Sequence, residues 1–313
     1  MMISVAMATY NGEKYIINQL ESILKQTIPA DEVIICDDGS VDGTVNLITA
    51  YIEKNKLKRW KLFKNEERLG YVKNFIKAIS LTKGEYIFLS DQDDIFYKNK
   101  FEVMIKYFKK NNNCILLNAN YNVIDEYGLV RNNLRFKSRV KRSNEITKIE
   151  FDRWLYESSF PGFSMGFRAI IRDKLKDINI KSCYGHDQLI GLIALSESGN
   201  YEINDVLSGY RIHDGNTTGG NNVVHNYSLI KRIKLKEKEL NEYELLQQLI
   251  FDNSLNNINN NLIEQRKNEL KQRLFFLKNK KIFCLIKLLF TSKIYPAGTI
   301  IGDILYVLKD KIK

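Results

Sequence analysis

The sequence predicts an α/β protein in which a mainly parallel β-sheet is flanked by helices and is followed by a helical, basic C-terminal segment. Two observations predict this class. Over the first 125 residues, short apolar runs alternate with segments whose apolar residues recur at helical spacing. From residue 227 onward the pattern is mostly helical and rich in lysine. Alternating strands and helices favour parallel strands joined by right-handed crossovers.

Five strands and four helices are predicted in the first part of the chain. Apolar runs bounded by polar residues indicate the strands, and apolar residues three or four positions apart indicate the helices. Ser40 is the predicted N-cap of the second helix, because a serine hydroxyl accepts a hydrogen bond from a main-chain N–H. The predicted strands are 3–8, 32–38, 60–65, 85–90 and 114–125, and the predicted helices are 12–26, 40–55, 70–81 and 97–110.

Three polar clusters directly follow predicted strands. They are TYNG at 9–12, DDGS at 37–40 and SDQDD at 90–94. Parallel sheets of this kind bind ligands at the carboxyl ends of their strands. We therefore expect the three clusters to meet at one edge of the sheet and to form a binding site there.

The third cluster has two interpretations. Asp91 and Asp93 lie one residue apart just past a strand, and two carboxylates so placed can bind one Mg²⁺ or Mn²⁺ that also contacts a ligand's phosphates. Alternatively, the acids cap a turn that leads into the next helix. The spacing alone leaves both interpretations open.

The second cluster is equally ambiguous. Asp37 and Asp38 are placed to hydrogen-bond a base or a ribose, whereas Ser40 and Asp42 are placed to cap the following helix. The pattern leaves ligand contact and helix capping open for this run of residues.

In the first cluster, the loop can shape a nucleotide pocket in which Tyr10 packs against a base and Glu13, near the start of the following helix, is a further candidate substrate contact. An ordinary turn between strand and helix is the alternative. The segment lacks GxGxxG and GxxxxGK[ST], so a Rossmann dinucleotide site and a P-loop are both disfavoured.

Further candidates lie in the second part of the chain. Asp187, at the start of an apolar helix, is either a helix cap or a general base. Arg211 and His213 adjoin a stretch rich in glycine, asparagine and threonine. That stretch is either a lid over phosphates, with Arg211 or His213 on the anion or metal, or a solvated loop.

The formal net charge is +11, and it is unevenly distributed. Residues 227–313 contain 17 Lys/Arg and 9 Asp/Glu, which gives this segment a charge of +8 (17 − 9). Basic and apolar residues at helical spacing predict contact with an anionic membrane surface. The alternative is a helical appendage that packs on the catalytic domain or on a second copy of the chain, which makes a homo-oligomer. Nucleic-acid binding is disfavoured because no recognition motif accompanies the charge.

The four cysteines are far apart and form no CxxC pair: Cys36, Cys114, Cys183 and Cys284. The N-terminus resembles a first strand more than an export signal, and no apolar run reaches the ~20 residues of a transmembrane helix. We therefore expect reduced thiols in a cytoplasmic protein, peripheral on the inner face of the cell membrane if the basic segment binds lipid.

Several of these stretches together resemble a known family. VAMATYNGEKYIINQLESILKQTIPADEVIICDDGSVDGT resembles the opening of family 2 glycosyltransferases of the GT-A fold, and FLSDQDDIFYKNK resembles their metal-binding DXD region. SDQDD, PGFSMGFR and the YRxHxxNxxG pattern resemble the bacterial rhamnosyltransferase-type members. The first 125 residues match densely, and residues 155–220 match through short motifs.

The resemblance implies an inverting, nucleotide-sugar-dependent transferase with a bound Mg²⁺ or Mn²⁺. It implies that Tyr10 and Asp38 contact the base and ribose and that Arg68 lies near the nucleotide. It also implies that Asp91 and Asp93 hold the metal and diphosphate and that Asp187 is the catalytic base. The sequence departs from the family pattern at Phe96 and Gln188, where tryptophan is frequent.

The resemblance also implies a domain division and a set of substrates. Residues 1–220 form the catalytic domain, with 1–125 as the nucleotide-sugar-binding half and 126–220 as the acceptor-side half, and residues 221–313 form a helical extension. The first donor implied is dTDP-L-rhamnose, and UDP-glucose, UDP-galactose or another UDP-sugar is the alternative. The implied acceptor is a growing cell-surface polysaccharide or a lipid-linked oligosaccharide. A non-catalytic scaffold that holds a sugar nucleotide is the competing class.

Overall fold

The computed structural model describes residues 1–131, 146–157, 160–178, 185–213, 228–255, 257–280, 302–305 and 307–308. The chain divides into two compact units. The first contains residues 1–178, 183–220 and 255–257, and the second contains residues 179–182, 221–254 and 258–313.

The first unit begins with four parallel strands and the helices that connect them. The elements in chain order are β1 (Ile3–Thr9), α1 (Ile16–Leu24), β2 (Glu32–Asp37), α2 (Thr44–Lys54), β3 (Trp60–Lys64), α3 (Tyr71–Leu81) and β4 (Tyr86–Ser90). In the sheet these strands lie in the order β3-β2-β1-β4, and every neighbouring pair is parallel. Residues of β2 and β4 are buried throughout, as expected for strands covered on both faces.

The sheet continues with strands of mixed direction. The remaining elements of this unit are β5 (Ile95–Phe96), α4 (Lys100–Lys110), β6 (Leu116–Ile124), β7 (Thr147–Lys148), α5 (Phe151–Glu157), a 3₁₀ turn (Gly162–Ser164), β8 (Met165–Arg168), α6 (Ala169–Leu175), α7 (His186–Ser196) and β9 (Asn200–Arg211). The sheet order is β3-β2-β1-β4-β8-β6-β9-β5, with β7 beside β9. Four pairs in this part are antiparallel: β4 with β8, β6 with β8, β5 with β9, and β7 with β9.

The short strand β8 fits between β4 and β6 because of a glycine. A Cβ at Gly166 would lie 2.7 Å from Cε1 of Phe88, so this position tolerates no side chain. Phe88 itself is fully buried and packs on Phe101 with ring centroids 4.5 Å apart. Burying a phenylalanine contributes about 1.5–3 kcal/mol, so this layer of rings is a substantial part of the core.

The structure corrects one predicted helix start. Helix α2 begins at Thr44 with Gly43 as its N-cap, so Ser40 does not cap it as predicted. The Ser40 hydroxyl instead donates to the Asp37 carboxylate at 2.5 Å. Asp42, the other predicted cap, accepts a hydrogen bond from the main-chain N–H of Thr44 at 3.0 Å.

Two of the four cysteines lie in the described residues. Cys36 and Cys114 are free and buried, and burial raises the pKa of the first to about 11 and of the second to about 12. Both are therefore inert thiols at neutral pH. Cys183 and Cys284 lie outside the described residues.

The second unit contains two long helices, α8 (Leu229–Asp252) and α9 (Asn260–Asn279). The Asp303 carboxylate, in the helical stretch 302–305, receives hydrogen bonds from Arg232 Nε at 2.5 Å and Arg273 Nε at 2.6 Å. Asp303 and Arg273 are both fully buried. None of the helices in the described part of the chain combines the length and apolarity needed to cross a membrane.

Candidate active site

The loops that follow β1, β2 and β4 meet at one edge of the sheet, as the three polar clusters predict. Asn11, in the left-handed conformation (φ 48°), accepts a hydrogen bond from the Val41 N–H at 2.9 Å and donates its own N–H to Ser40 Oγ at 2.9 Å. The Gly12 N–H donates to Thr44 Oγ1 at 2.7 Å. These contacts join the loop after β1 to the loop after β2.

The Glu13 side chain lies at the start of α2. Its carboxylate accepts a hydrogen bond from the Gly43 N–H at 2.6 Å, and its own N–H donates to Asp42 Oδ2 at 3.2 Å. A carboxylate at a helix N-terminus is favoured by the helix dipole. The structure thus shows Glu13 as a cap of α2, at a position where the sequence predicts substrate contact.

Asp38 is 3% exposed and is engaged by the protein itself. Its Oδ1 accepts hydrogen bonds from Asn65 Nδ2 at 2.9 Å and the Leu69 N–H at 2.7 Å, and its Oδ2 accepts from the Gly70 N–H at 2.9 Å. This carboxylate therefore holds the loop that carries Arg68.

Tyr10 and Arg68 lie together beside Asp38. The Arg68 guanidinium carbon is 3.9 Å from the centroid of the Tyr10 ring, and Arg68 Nε is 4.0 Å from Asp38 Oδ2. The Arg68 side chain is 64% exposed, so it retains freedom to move. Of Tyr10, Asp38 and Arg68, the three residues that the resemblance places at or near the nucleotide, Tyr10 and Arg68 present accessible surface and Asp38 is buried.

Asp91 and Asp93 lie just past the end of β4, and Asp187 lies at the start of α7. Burial, with the carboxylates of Asp93 and Asp187 nearby, raises the pKa of Asp91 to about 8. Asp187 is therefore near enough to contribute to this shift, although 96 positions separate it from Asp91 (187 − 91). Mutual repulsion between carboxylates is relieved when a cation binds among them.

Between the two metal-site candidates, Gln92 pairs with the main chain of Tyr10. The Tyr10 N–H donates to Gln92 Oε1 at 2.8 Å, and Gln92 Nε2 donates to the Tyr10 carbonyl at 2.9 Å. The loop that carries Asp91 and Asp93 and the loop after β1 are thus joined by two hydrogen bonds.

The end of β9 supplies two further side chains. His213 Nε2 lies 2.9 Å from Asp93 Oδ2. Arg211 is 1% exposed, and its guanidinium donates to the main-chain carbonyls of Asp93, Asp125 and Glu126 at 2.7–3.1 Å. A buried guanidinium on carbonyls fixes loops, so this geometry favours a positioning role for Arg211 over the predicted direct contact with a ligand.

Asp187 lies in the first turn of α7. The Gln188 N–H donates to Asp187 Oδ1 at 2.8 Å. Burial raises the pKa of Asp187, and the main-chain hydrogen bond opposes that shift. A carboxylate with a raised pKa is a stronger base than a free one, as a proton acceptor in catalysis requires.

Sequence reasoning missed three residues of this region: Gln92, Asp94 and Lys100. Asp94 is 1% exposed and accepts a hydrogen bond from the Arg211 N–H at 2.9 Å. Lys100 is fully buried, with its Nζ on the Phe163 carbonyl and, at 2.9 Å, on Ser208 Oγ. Burial lowers the pKa of Lys100 to about 7. Asp94 could have been found from the sequence, because it is the third acid of SDQDD. No local pattern indicates that Lys100 is buried beside the site.

The acids fit a divalent ion that shares its coordination with a ligand. In the described ranges, no group of three or more His, Cys, Asp and Glu side chains has the geometry of a metal site. Asp91 and Asp93 offer hard carboxylate oxygens, and Mg²⁺ is commonly held by one or two carboxylates together with substrate phosphates. The donor set therefore suits Mg²⁺ or Mn²⁺ completed by a diphosphate.

Comparison with known proteins identifies the family to which the chain belongs. The profile of the family described as Glycosyl transferase family 2 matches residues 4–178, more than half of the chain. The chain belongs to glycosyl transferase family 2. The matched range contains the three polar clusters and ends before α7, so it does not reach Asp187 or His213.

Individual relatives agree with this family. Over 129 residues the chain is 33% identical to UDP-Glc:alpha-D-GlcNAc-diphosphoundecaprenol beta-1,3-glucosyltransferase WfgD of Escherichia coli, covering 41% of this chain and 49% of that protein. Matches to several other curated glycosyltransferases cover between 20% and 66% of those proteins' own lengths.

Solved structures show the same fold. S. aureus TarS 1–349 in complex with UDP aligns over 100% of this chain and 82% of that one, with TM-score 0.60 and 19% identity. The mannosyltransferase PcManGT from Pyrobaculum calidifontis, in complex with GDP-Man and Mn²⁺, aligns over 99% of this chain and 86% of that one, with TM-score 0.51 and 16% identity. These likenesses confirm the predicted GT-A fold.

Proposed function

We propose that this family 2 protein is an inverting glycosyltransferase that moves a sugar from a nucleoside diphosphate donor to an acceptor hydroxyl. The observation that carries the proposal is the pairing, at one edge of the sheet, of the loop that holds Asp91 and Asp93 with the main chain of Tyr10 through Gln92, with Asp187 near enough to help raise the pKa of Asp91. A transferase of this kind needs a cation site for the diphosphate and a base for the acceptor within reach of one another.

Asp187 is the proposed general base. It accepts the proton of the acceptor hydroxyl as the acceptor oxygen attacks the anomeric carbon and the bond from that carbon to the phosphate oxygen breaks. Its raised pKa suits it to this role, and general-base assistance contributes about 10²–10⁴ in rate. The sugar passes through an oxocarbenium-like transition state, as in glycoside hydrolysis.

Asp91 and Asp93 are the proposed ligands of Mg²⁺ or Mn²⁺. When bound, the metal neutralises the charge that develops on the departing nucleoside diphosphate. His213, in contact with Asp93, orients one of the two ligands. The mannosyltransferase PcManGT, whose structure is in complex with GDP-Man and Mn²⁺, supports the choice of metal.

Tyr10 and Arg68 are the proposed nucleotide contacts. Asp38 holds the loop that carries Arg68, and Glu13 caps the start of α2. Two donors are in competition. The resemblance to rhamnosyltransferases supports dTDP-L-rhamnose. The UDP-Glc-dependent transferase WfgD and the structure of TarS in complex with UDP support a UDP-sugar. The acceptor of WfgD, alpha-D-GlcNAc-diphosphoundecaprenol, supports a lipid-diphosphate-linked saccharide as acceptor, within assembly of a cell-surface polysaccharide.

A donor panel tests this proposal by thermal shift. The panel contains dTDP-rhamnose, UDP-glucose, UDP-galactose, UDP-GlcNAc and GDP-mannose, each with Mn²⁺ and with EDTA. A donor at 100 times its Kd stabilises the native state by about 2.7 kcal/mol, which a melting curve resolves. We expect one donor to raise the melting temperature, and to do so in Mn²⁺ but not in EDTA. In the Asp93→Ala variant this difference between Mn²⁺ and EDTA should disappear.

The same panel distinguishes the enzyme from a non-catalytic scaffold. Metal-dependent stabilisation, without release of nucleoside diphosphate over hours when a lipid-diphosphate-linked saccharide is added as acceptor, supports the scaffold. The absence of any stabilisation contradicts the donor site altogether. Asp177→Ala is a matched control, because Asp177 is an exposed acid of the same unit and should respond to the donor as the unaltered protein does.

The second unit is proposed to bind an anionic membrane surface from the cytoplasmic side. Ile230 and Leu235 on α8 are 67% and 46% exposed, and Lys231, Lys234 and Lys238 beside them are also exposed. At 100° per residue, these five side chains span an arc of about 140°, a single face of the helix. Glu242, which is 40% exposed and 3.8 Å from Lys238, lies within the same arc and offsets one of the three positive charges. The remaining apolar and basic side chains suit the interface of an anionic bilayer.

Vesicle co-sedimentation tests the membrane proposal. We expect binding to vesicles with anionic lipid, weak binding to zwitterionic vesicles, and weakening with salt. Leu235→Ser should reduce binding. Phe251→Ser is the matched control, since Phe251 is 80% exposed but adjoins Asp252 and lies outside this face. Equal binding to both vesicle types, or an equal effect of the two variants, contradicts the proposal.

A further inference from the structure

The side chain of Gln92 forms the same pair of hydrogen bonds with Tyr10 that a neighbouring strand would form. Its carbonyl oxygen accepts from the Tyr10 N–H at 2.8 Å and its amide nitrogen donates to the Tyr10 carbonyl at 2.9 Å. The main-chain N–H and the main-chain carbonyl of Tyr10 are thus both hydrogen-bonded to one side chain, 82 positions away in the sequence. A glutamine amide matches this pattern because it carries one acceptor and two donors in a plane.

A glycine makes room for this amide. A Cβ at Gly12 would lie 2.2 Å from Gln92 Oε1 and 2.4 Å from Gln92 Cδ. These separations are far below van der Waals contact, so any other residue at position 12 would displace the glutamine. The Gly12 N–H also donates to Thr44 Oγ1 at 2.7 Å, which fixes the chain at this place.

We propose that Gln92 is a positioning residue that couples metal binding to nucleotide binding. This inference rests on the proposed function of the site. Gln92 lies between the two proposed metal ligands, Asp91 and Asp93, so a metal that orders them also fixes the Gln92 backbone. The Gln92 amide then holds the main chain of Tyr10, a proposed nucleotide contact.

Coupling of this kind is reciprocal: if metal strengthens nucleotide binding, nucleotide strengthens metal binding by the same factor. A purely structural role for Gln92 makes a different prediction. It lowers stability or both affinities together, and it leaves the ratio of nucleotide affinities with and without metal unchanged.

Gln26 provides a matched control within the same unit. It also binds main chain through both ends of its amide: its Nε2 donates to the carbonyls of Ser22 at 3.0 Å and Tyr97 at 2.9 Å, and its Oε1 accepts from the Phe101 N–H at 3.2 Å. Gln26→Met therefore removes main-chain hydrogen bonds of the same type that involve neither Tyr10 nor residues 91–93.

Titration calorimetry with UDP and with dTDP as probes, each in Mn²⁺ and in EDTA, measures the coupling. For the unaltered protein we expect one probe to bind 5–150-fold more tightly with Mn²⁺, the usual range of about 1–3 kcal/mol for coupled sites. Gln92→Met should reduce this ratio at least about fivefold. Gly12→Ala should reduce it similarly, because the added Cβ would displace the Gln92 amide. Gln26→Met should keep the ratio of the unaltered protein.

The outcomes separate the two proposals. If the unaltered protein shows metal-dependent binding and Gln92→Met shows the same ratio, the coupling role is wrong and the proposed function stands. If the unaltered protein binds neither probe, the proposed function is wrong, and the coupling role, which rests on it, is wrong as well. Folding of each variant is checked by its far-UV circular dichroism and melting transition.

Discussion

His213 Nε2 lies 2.9 Å from Oδ2 of Asp93, the second carboxylate of the proposed metal site. The two side chains are 17% and 18% exposed, so the contact is shielded from most solvent. The His213 ring also packs on Tyr15 with ring centroids 4.8 Å apart. The imidazole is therefore held in place from two sides and fixes the orientation of the Asp93 carboxylate.

Replacing His213 should weaken metal binding without removing it. Residues that orient a metal ligand usually contribute about 10–100-fold to metal affinity. We expect His213→Ala to lower Mn²⁺ affinity by that factor in the presence of nucleotide. His213→Gln, which keeps a donor, should lose less. The Mn²⁺ concentration that gives half-maximal activity measures the effect, and an unchanged value for His213→Ala would contradict this role.

Removing the Asp38 carboxylate should destabilise the first unit. Asp38→Ala leaves the Leu69 and Gly70 N–H groups without their acceptor and removes one of the two acceptors of the Asn65 amide nitrogen, which keeps Asn74 Oδ1. Hydrogen bonds to a charged group contribute about 1.5–3 kcal/mol, so we expect a loss of at least that size. Donor affinity should fall as well, because Arg68 lies in the loop that Asp38 holds.

Urea unfolding of Asp38→Ala measures the loss. Asp177→Ala, at an exposed acid of the same unit, is the control and should stay within about 0.5 kcal/mol of the unaltered protein. A stable Asp38→Ala variant that has lost donor binding would show instead that Asp38 contacts the nucleotide directly.

The buried imidazole of His186 predicts a loss of stability in acid. It is 7% exposed and stacks on Phe75 with ring centroids 3.8 Å apart, and burial lowers its pKa to about 3. Below an unfolded pKa of about 6.5 the unfolded chain binds a proton that the folded protein excludes. Stability from this group is thus fully present above about pH 6.5 and is lost as the pH falls towards 3.

Between pH 7 and pH 5 this group should remove about 2 kcal/mol of unfolding free energy. His186→Leu should show a shallower acid dependence than the unaltered protein in urea unfolding at the two pH values. Proton NMR of the unaltered protein should show no titration of the His186 ring in this range. A ring that titrates near pH 6.5 would contradict its burial as a neutral group.

In the second unit, removing the Asp303 carboxylate should be costly. Asp303→Ala leaves the buried guanidinium of Arg273 without the carboxylate, and breaking one partner of a buried pair typically costs about 3–5 kcal/mol. We expect faster amide hydrogen exchange throughout α8 and α9. The control is Lys238→Ala, because the Lys238–Glu242 pair is 3.8 Å apart and exposed, and such pairs contribute about 0–1 kcal/mol. Equal exchange in the two variants would contradict the account.

Local patterns in the sequence predict the first part of the fold and the position of the site. The apolar runs at β1, β2 and β4 and the polar residues after them follow from the chemistry of consecutive residues. Parallel topology then brings Tyr10, Asp38 and Asp91 to one edge of the sheet, as the structure shows.

What the sequence does not predict depends on contacts between distant residues. Nothing local indicates that Gln92 pairs with Tyr10, or that the Asp38 carboxylate is used by the loop around Leu69. Strand β8 has only four residues, too few for a periodic pattern, and its place between β4 and β6 depends on the close packing of Gly166 on Phe88.

Release of nucleoside diphosphate from the sugar nucleotides tests the central claim most directly. The assay compares the unaltered protein with Asp93→Ala and Asp187→Asn, in Mn²⁺ and in EDTA, with a lipid-diphosphate-linked saccharide as acceptor. The account predicts that one donor is consumed only with metal, and that Asp187→Asn lowers the rate about 10²–10⁴-fold while donor binding is retained. An equal rate for Asp187→Asn, or equal rates in Mn²⁺ and EDTA, would contradict it.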